Sequence, residues 1–248
     1  MIILKRPHEL AKMRQAGRIV ALTLQALEEK IKPGLATIEL DTLAYEMITK
    51  QGAIPSFKGY RGFPASVCVS INEEIVHGIP GKRVLCEGDI ISLDLGAIYE
   101  NYQGDAAITV GVGQIDPYAQ HLLEVAAGAL DAGIVQAVVG QRVGDISWAI
   151  QHHAESNGFS VVREYVGHGI GREMHEEPQV PNFGQPGRGD LLKPGMTLAL
   201  EPMVNAGGWK TKTRDDRWTV VTADGSLSAH FEHTIAVTDG AAEILTLP

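Results

Sequence analysis

The chain has 248 residues, 44% of them hydrophobic, enough to bury one substantial core within a single domain. Its formal net charge of −9 excludes a general phosphate-binding surface, because nucleic-acid affinity rests on clustered Lys and Arg, and DNA is not an expected partner. Cys68 and Cys86 are too few for a disulfide framework and form no zinc-type cluster; the apolar run within Met1 to Arg6 is far shorter than a signal sequence, and no later stretch approaches a membrane span, so a cytoplasmic protein is expected.

Taken in chain order, Leu10, Met13, Ile19, Val20, Leu24 and Leu27 recur near helical spacing and stop at Lys32-Pro33-Gly34, which predicts a helix over residues 7–30. A second helix is predicted over 37–50, with Thr37 as its N-cap and Gly52 as the left-handed residue that ends it. Residues 66–71, 89–95 and 105–112 have the β-branched, alternating character of strands. The programme then repeats, with helices predicted over 117–139 and 143–156, a strand-like stretch at 160–166 and a loop at 181–189. The letters repeat as well. Leu85-Cys86-Glu87-Gly88-Asp89 through Asp94 lies over Leu192-Lys193-Pro194-Gly195-Met196 through Glu201 at one offset, and Gly34 over Gly140 and Gly52 over Gly158 nearly keep it. These matches predict one domain over 1–248 built of duplicated halves, about 1–113 and 114–248, with Asp94 and Glu201 facing each other across a pseudo-two-fold axis.

Four acids stand at the ends of apolar strands: Asp94 after Ile90-Ile91-Ser92-Leu93, Asp105 before Ala106-Ala107-Ile108, Glu201 after Leu198-Ala199-Leu200, and Glu232 before His233-Thr234-Ile235. A lone Asp in such a place is ordinarily a solvated strand end or a turn residue. A hairpin centred on Tyr99-Glu100, however, sets Asp94 directly opposite Asp105, with Cβ atoms about 4.5–5.5 Å apart, where two carboxylates repel unless a cation lies between them. His168, within the glycine-rich Gly167-His168-Gly169-Ile170-Gly171, is the candidate neutral ligand. Four carboxylates and one imidazole suit two divalent ions, and the oxygen-rich set suits Mn, Fe(II), Co or Zn without choosing among them.

With these residues the chain resembles the bacterial type I methionine aminopeptidases over essentially its whole length. The resemblance rests on Ser70-Ile71-Asn72-Glu73 with Val76-His77-Gly78-Ile79-Pro80, on Gly104-Asp105, on Gly167 to Gly171 with His175-Glu176-Glu177-Pro178, on Glu201-Pro202-Met203-Val204 and on Phe231-Glu232-His233-Thr234. It implies an α+β pita-bread fold, with a curved antiparallel sheet and helices on its outer face. It implies two divalent metals held by Asp94, Asp105, His168, Glu201 and Glu232, with Asp105 and Glu232 bridging. It also implies that His77 and His175 contact the scissile peptide, and that Tyr60, Phe63, Cys68 and Trp218, with His77 at the edge, form a cup for a methionine side chain. Met174 departs from the aromatic residue that many relatives carry before the second histidine. The implied reaction removes an N-terminal initiator methionine ahead of a small second residue, with Glu201 moving the proton and His175 facing the oxyanion. A monomer acting on nascent chains, with any ribosome contact local and weak, is expected. His8, His121, His152, His153, His230 and His233 match no catalytic role and read as surface or structural.

Two other readings stand beside this one. A proline-directed peptidase shares the fold and the five ligands but normally carries a further N-terminal domain, and a metal-free binding module on the same fold loses ligands, whereas all five types are present here.

Overall fold

Residues 1–248 are all described by the structure, a computed structural model. Helix α1 (Pro7–Lys30) begins with proline, whose missing N–H costs nothing at that position, and the Glu9 carboxylate accepts the Arg6 backbone N–H. Helix α2 (Thr37–Lys50) is capped in the same way by Glu39 on the Ala36 N–H. Thr37 is therefore not the expected N-cap: the cap lies one residue earlier, and the Thr37 hydroxyl instead bonds Gly81. Gly52 does adopt the left-handed conformation, with φ +74°.

The first half continues with β1 (Ile54–Pro55), β2 (Cys68–Ile71), β3 (Glu74–Val76), β4 (Ile90–Tyr99) and β5 (Tyr102–Gly111). The predicted strand at 66–71 is shorter because the Ser66 N–H is taken by the Asp41 carboxylate and not by a ladder. Helices α3 (Pro117–Gln136) and α4 (Val143–Ser156) follow. Helix α3 stops before the predicted 139, where Ala137 closes the last turn onto Ile134 O and Gly140 takes φ +94°. The remaining strands are β6 (Ser160–Val161), β7 (Val166–Gly169), β8 (Glu176–Pro181), β9 (Thr197–Leu200), β10 (Met203–Asn205), β11 (Thr211–Thr213), β12 (Val220–Thr222), β13 (Ser228–His230), β14 (Glu232–Ala236) and β15 (Glu243–Ile244).

The main sheet is antiparallel in the order β1-β4-β5-β14-β9-β7-β8, with β2 also on β4 and β15 also on β14. Its faces follow from the two-residue side-chain period. Ile91, Leu93, Leu95 and Ala97 of β4 pack with Ile19, Val20, Leu24 and Leu27 of α1, and Leu198 and Leu200 of β9 pack with residues of α3 and α4. Each of these Ile, Leu and Val side chains contributes about 1.5–3 kcal/mol when fully buried. The alternate residues, Ser92, Asp94 and Gly96 on β4 and Ala199 on β9, point to the other face.

The β4–β5 hairpin corrects one expectation. It turns at Glu100-Asn101, both with positive φ (45° and 66°), as a two-residue turn between twisted strands requires. Asp94 therefore pairs with Ala107, and Asp105 pairs with Gly96. The two acids remain on one face but sit diagonally, which moves their Cβ atoms to about 7–8 Å.

The duplication is written in the registers. Ser70↔Ser92 and Ile71↔Ile91 recur as His168↔Ala199 and Gly169↔Leu198. Ser92↔Thr109 and Leu93↔Ile108 recur as Ala199↔Thr234 and Leu200↔His233. Ile54↔Ile98 and Pro55↔Ala97 recur as Ser160↔Asn205 and Val161↔Val204. The same correspondence carries Asp94 onto Glu201 and His77 onto His175. The halves differ at one point: β4 runs unbroken through Asp94, whereas its mate divides into β9 and β10 around Glu201-Pro202, where proline has no N–H to give a ladder.

Candidate metal centre

Two adjacent rows across the sheet build the site. In one, Cys68 pairs with Asp94, Asp94 with Ala107, and Ala107 with Glu232; one residue beyond the last β14–β9 pair, His233↔Leu200, Glu201 comes abreast of Glu232. In the other, Gly96 pairs with Asp105, while Thr234 pairs with Ala199 and Ala199 with His168. Between Asp105 and Thr234 a side chain spans the ladder: the Thr234 hydroxyl donates to Asp105 O at 2.8 Å and accepts the Asp105 N–H at 3.0 Å. Asp105 and His168 stand three strands apart, about 14 Å in a flat sheet. Their ligand atoms, with one of Glu232, nevertheless lie within 4.8 Å of one another, so the sheet curls concave around them.

The charge accumulated there is large. Burial, and then repulsion from Asp105 and Glu201, pushes the Asp94 and Glu232 carboxyls well above the ordinary range; burial and the nearby Asp105 do the same to Glu201. Asp105 is pushed up to about 7 by burial, against the opposing pull of the Ala106 N–H. Asp94 Oδ1, Asp105 Oδ1 and Glu232 Oε1 have no hydrogen-bond partner. Buried carboxylate oxygens without donors are costly, and divalent cations remove that cost, so the residues fit a metal pair. His168 is prepared as a ligand: its Nδ1–H donates to Gly169 O at 2.9 Å, which leaves the Nε2 lone pair 3.5 Å from Glu201 Oε1. That separation suits two ligands of one ion. Burial lowers the His168 pKa to about 4, keeping the ring neutral at pH 7.

A cavity of about 150 Å³ opens beside the acids, lined by Tyr60, Phe63, Cys68, His77, His175 and Trp218, all expected from the sequence. Phe63 meets Trp218 edge-on at 5.2 Å, and His77 meets Trp218 edge-on at 6.4 Å. Burial, with the surrounding acids, pushes the Cys68 thiol well up, so it lines the wall as a neutral group. His77 is held in a left-handed conformation, φ 61°, a strained backbone of the kind that clusters at active sites, and burial lowers its pKa to about 4. The Tyr60 hydroxyl lies 2.8 Å from His175 Nδ1, and the two rings stack at 5.6 Å. Burial, with Arg61 nearby, also lowers the His175 pKa.

Phe57, Arg61 and Met174 line the cavity too. Phe57 and Arg61 were not singled out by sequence, and only the neighbouring Tyr60-Arg61-Gly62-Phe63 run could have pointed to them. Met174 is 3% exposed and packs with Met13, Tyr102 and Ile170, so the pocket wall is intact where the aromatic is missing. His230, of the two readings surface or structural, is not at the surface: its ring is buried, both ring nitrogens lack partners, and burial lowers its pKa to about 3. Its two-residue spacing from Glu232, across the short break between β13 and β14, is the available signal, since that spacing in extended chain puts both side chains on one face. The other five histidines lie apart from the cage; His233, for instance, bonds the Thr246 hydroxyl.

A caged set of acids and one imidazole, on a duplicated pita-bread sheet beside a small aromatic cup, defines a metal-dependent hydrolase. Comparison with known proteins places it further: residues 11–239 match the metallopeptidase family M24, and the chain belongs to that family. It is similar to methionine aminopeptidase 1 of Bacillus subtilis, 58% identical over 246 residues that cover 99% of each chain. It is equally similar, at 58% identity over 248 residues covering 100% of this chain and 99% of the other, to the methionine aminopeptidase of Clostridium acetobutylicum. The crystal structure of a Thermotoga maritima methionine aminopeptidase superposes with a TM-score of 0.99 at 49% identity, covering 100% of both chains. A prolidase from Pyrococcus furiosus shares the fold alone, with a TM-score of 0.77 at 22% identity, 99% of this chain covering 66% of that one.

Proposed function

We propose that this chain removes the initiator methionine from new polypeptides, favours a small second residue, and works by two-metal hydrolysis of the first peptide bond. The observation that carries the reading is the set of buried carboxylates with donorless oxygens around His168, lining one cavity whose far wall is aromatic. A cavity of about 150 Å³ that also takes in the space between the acids is small enough to admit one side chain and not a run of residues. Its aromatic edges suit sulfur, worth about 0.3–1.5 kcal/mol per contact.

Asp94, Asp105, His168, Glu201 and Glu232 would hold the metals. When bound, a pair of divalent ions polarises a carbonyl and makes water acidic enough to attack at neutral pH. The residues supply the remainder. Glu201 takes a proton on its carboxylate and returns it to the leaving amine. His175 accepts the Tyr60 hydroxyl at Nδ1, so the proton of the neutral ring sits on Nε2 and is offered to the developing oxyanion; a donor of this kind is worth about 2.7–4 kcal/mol. His77, on the facing wall, holds the scissile nitrogen. The substrate's free α-amine would meet Asp94 or the metal it holds, which restricts cleavage to the first residue.

No helix is long and apolar enough to cross a membrane, and the substrates are chains emerging in the cytoplasm, where the protein acts as a single-domain monomer over 1–248. With a net charge of −9, any ribosome contact is local and weak. The test is methionine release from Met-Ala-Ser and Met-Leu-Ser by metal-stripped protein with Mn, Fe(II), Co and Zn restored one at a time. Faster release from Met-Ala-Ser is expected. Equal rates would remove the small-residue rule, and no release with any metal would end the reading.

A further inference from the structure

Strand β5 shares one kind of side-chain clamp twice, once with β14 and once with His230 at the end of β13. Thr234 spans the backbone of Asp105, and Thr109 spans that of His230, donating to His230 O at 2.7 Å and accepting the His230 N–H at 2.8 Å. The register correspondence that carries Asp94 onto Glu201 carries Thr109 onto Thr234 and Asp105 onto His230. In the second half, an imidazole thus occupies the place that a cage acid holds in the first, fixed by the same device. The ring is 1% exposed, and neither nitrogen has a hydrogen-bond partner. Its Nε2 lies 3.8 Å from Glu201 Oε2. Glu201 is divided in its surroundings: Oε1 faces His168 Nε2 at 3.5 Å, Oε2 faces His230, and its backbone carbonyl accepts Asn182 Nδ2 at 3.1 Å.

We propose that His230 is a positioning residue for Glu201: from behind the cavity wall, its Nε2–H donates to Glu201 Oε2 and keeps Oε1 turned toward His168 Nε2, so that the two converge on one divalent cation. A gap of 3.8 Å exceeds a hydrogen bond, and bonds of this kind in active sites tighten when the ligand binds. Partners that orient metal ligands in this way set metal affinity as well as rate.

The proposal rests on the metal-dependent reading of the site, but its first measurement needs no peptide. His230→Gln and His230→Met are close in shape and differ in the N–H donor. Thermal unfolding of the metal-free variants establishes that both fold, and Mn²⁺ is then titrated into each by calorimetry. The Gln variant is expected to stay within about threefold of the parent, and the Met variant to bind the tighter Mn²⁺ about 10–100-fold more weakly. With Met-Ala-Ser and saturating Mn²⁺, the Met variant should lose kcat with KM within about twofold, while the Gln variant recovers it. Unchanged Mn²⁺ affinity and kcat in the Met variant would overturn the proposal. Equal impairment of both variants would do so too, since volume and not the donor would then matter. Where the Met variant does not fold, His230→Leu, which also lacks a donor, replaces it under the same criteria. If the parent releases no methionine, the peptidase reading fails while the calorimetric comparison still decides the role of His230.

Discussion

The proton on His175 is placed by a neighbour. A neutral imidazole has one donor and one acceptor, and a phenol 2.8 Å from Nδ1 donates more readily than it accepts, so Nε2 keeps the hydrogen. Tyr60→Phe retains the ring stacked on His175 and the cavity wall while removing that bond. With Met-Ala-Ser and saturating metal, kcat should fall about tenfold, close to the 0.5–1.5 kcal/mol of one hydrogen bond, with KM little changed. A matching rise in KM would mean that Tyr60 only lines the pocket. Glu201→Gln keeps the shape and removes the proton acceptor, and a loss of about 10²–10⁴-fold in kcat is expected; near-full activity would rule out the proton role. At this scale the sequence was most informative where a charge breaks an apolar strand, as at Asp94, Asp105, Glu201 and Glu232, because an acid there contradicts its surroundings. Phe57 and Met174 were less legible, since a pocket wall and a core use the same residue types. His230 was hidden because a single histidine two places before an acid gains meaning only when the facing strand is known.

At the scale of elements, helices α1, α2 and α4 have the bounds that apolar spacing and Pro/Gly punctuation predict, because each buries one face against the sheet and stops at a chemical signal. The β4–β5 hairpin was harder to read. Its turn contains no glycine, and Glu100 and Asn101 take positive φ under the pull of a long ladder, a tertiary effect that moved the register by two residues. The acids stayed on one face because the pleat repeats every two residues. Where α1 crosses β5, the close approach depends on Gly104, whose Cβ would lie 2.6 Å from Gly17 N, while Gly17 lets the C-terminal segment approach α1, since a Cβ there would lie 2.1 Å from Leu245 O. These contacts are with backbone, which cannot swing aside. Gly104→Ala should therefore destabilise the protein by about 1–3 kcal/mol, read as a lowered urea midpoint with unchanged m. An unchanged midpoint would mean that the helix lifts off at no cost, and Asp105, the next residue, should then lose its place and the activity with it.

For the molecule as a whole, the cage couples folding, protons and metal. Without metal, Asp94, Glu201 and Glu232 have carboxyls raised well above the ordinary range, and Asp105 is raised to about 7, chiefly by burial. A carboxyl raised in the folded state binds protons that the unfolded chain has already lost, so its stabilisation is present below about pH 4 and disappears as pH rises through the folded value. The buried histidines act in the opposite sense: His77 and His168 at about 4 and His230 at about 3 make the unfolded state the better proton binder, so stability rises with pH until the unfolded rings are neutral near 6.5. The two groups oppose each other between about pH 4 and 6.5, and above that only the carboxyls still titrate. Metal-stripped protein should therefore show a Tm that falls as pH rises from about 6.5 through about 7, where Asp105 titrates in the folded state, once the histidines are spent. Excess Mn²⁺ should reverse that slope, because the ligands bind as carboxylates and neutral imidazole, metal affinity rises with pH, and binding to the folded state alone stabilises it by mass action. Asp105→Asn, which removes the acid set at about 7, should flatten the metal-free slope near neutrality and weaken the response to Mn²⁺. Differential scanning calorimetry across that range, with and without Mn²⁺, checks all three. A metal-free Tm that holds level or climbs above pH 6.5 would show that the acids are paired within the protein and are not waiting for cations.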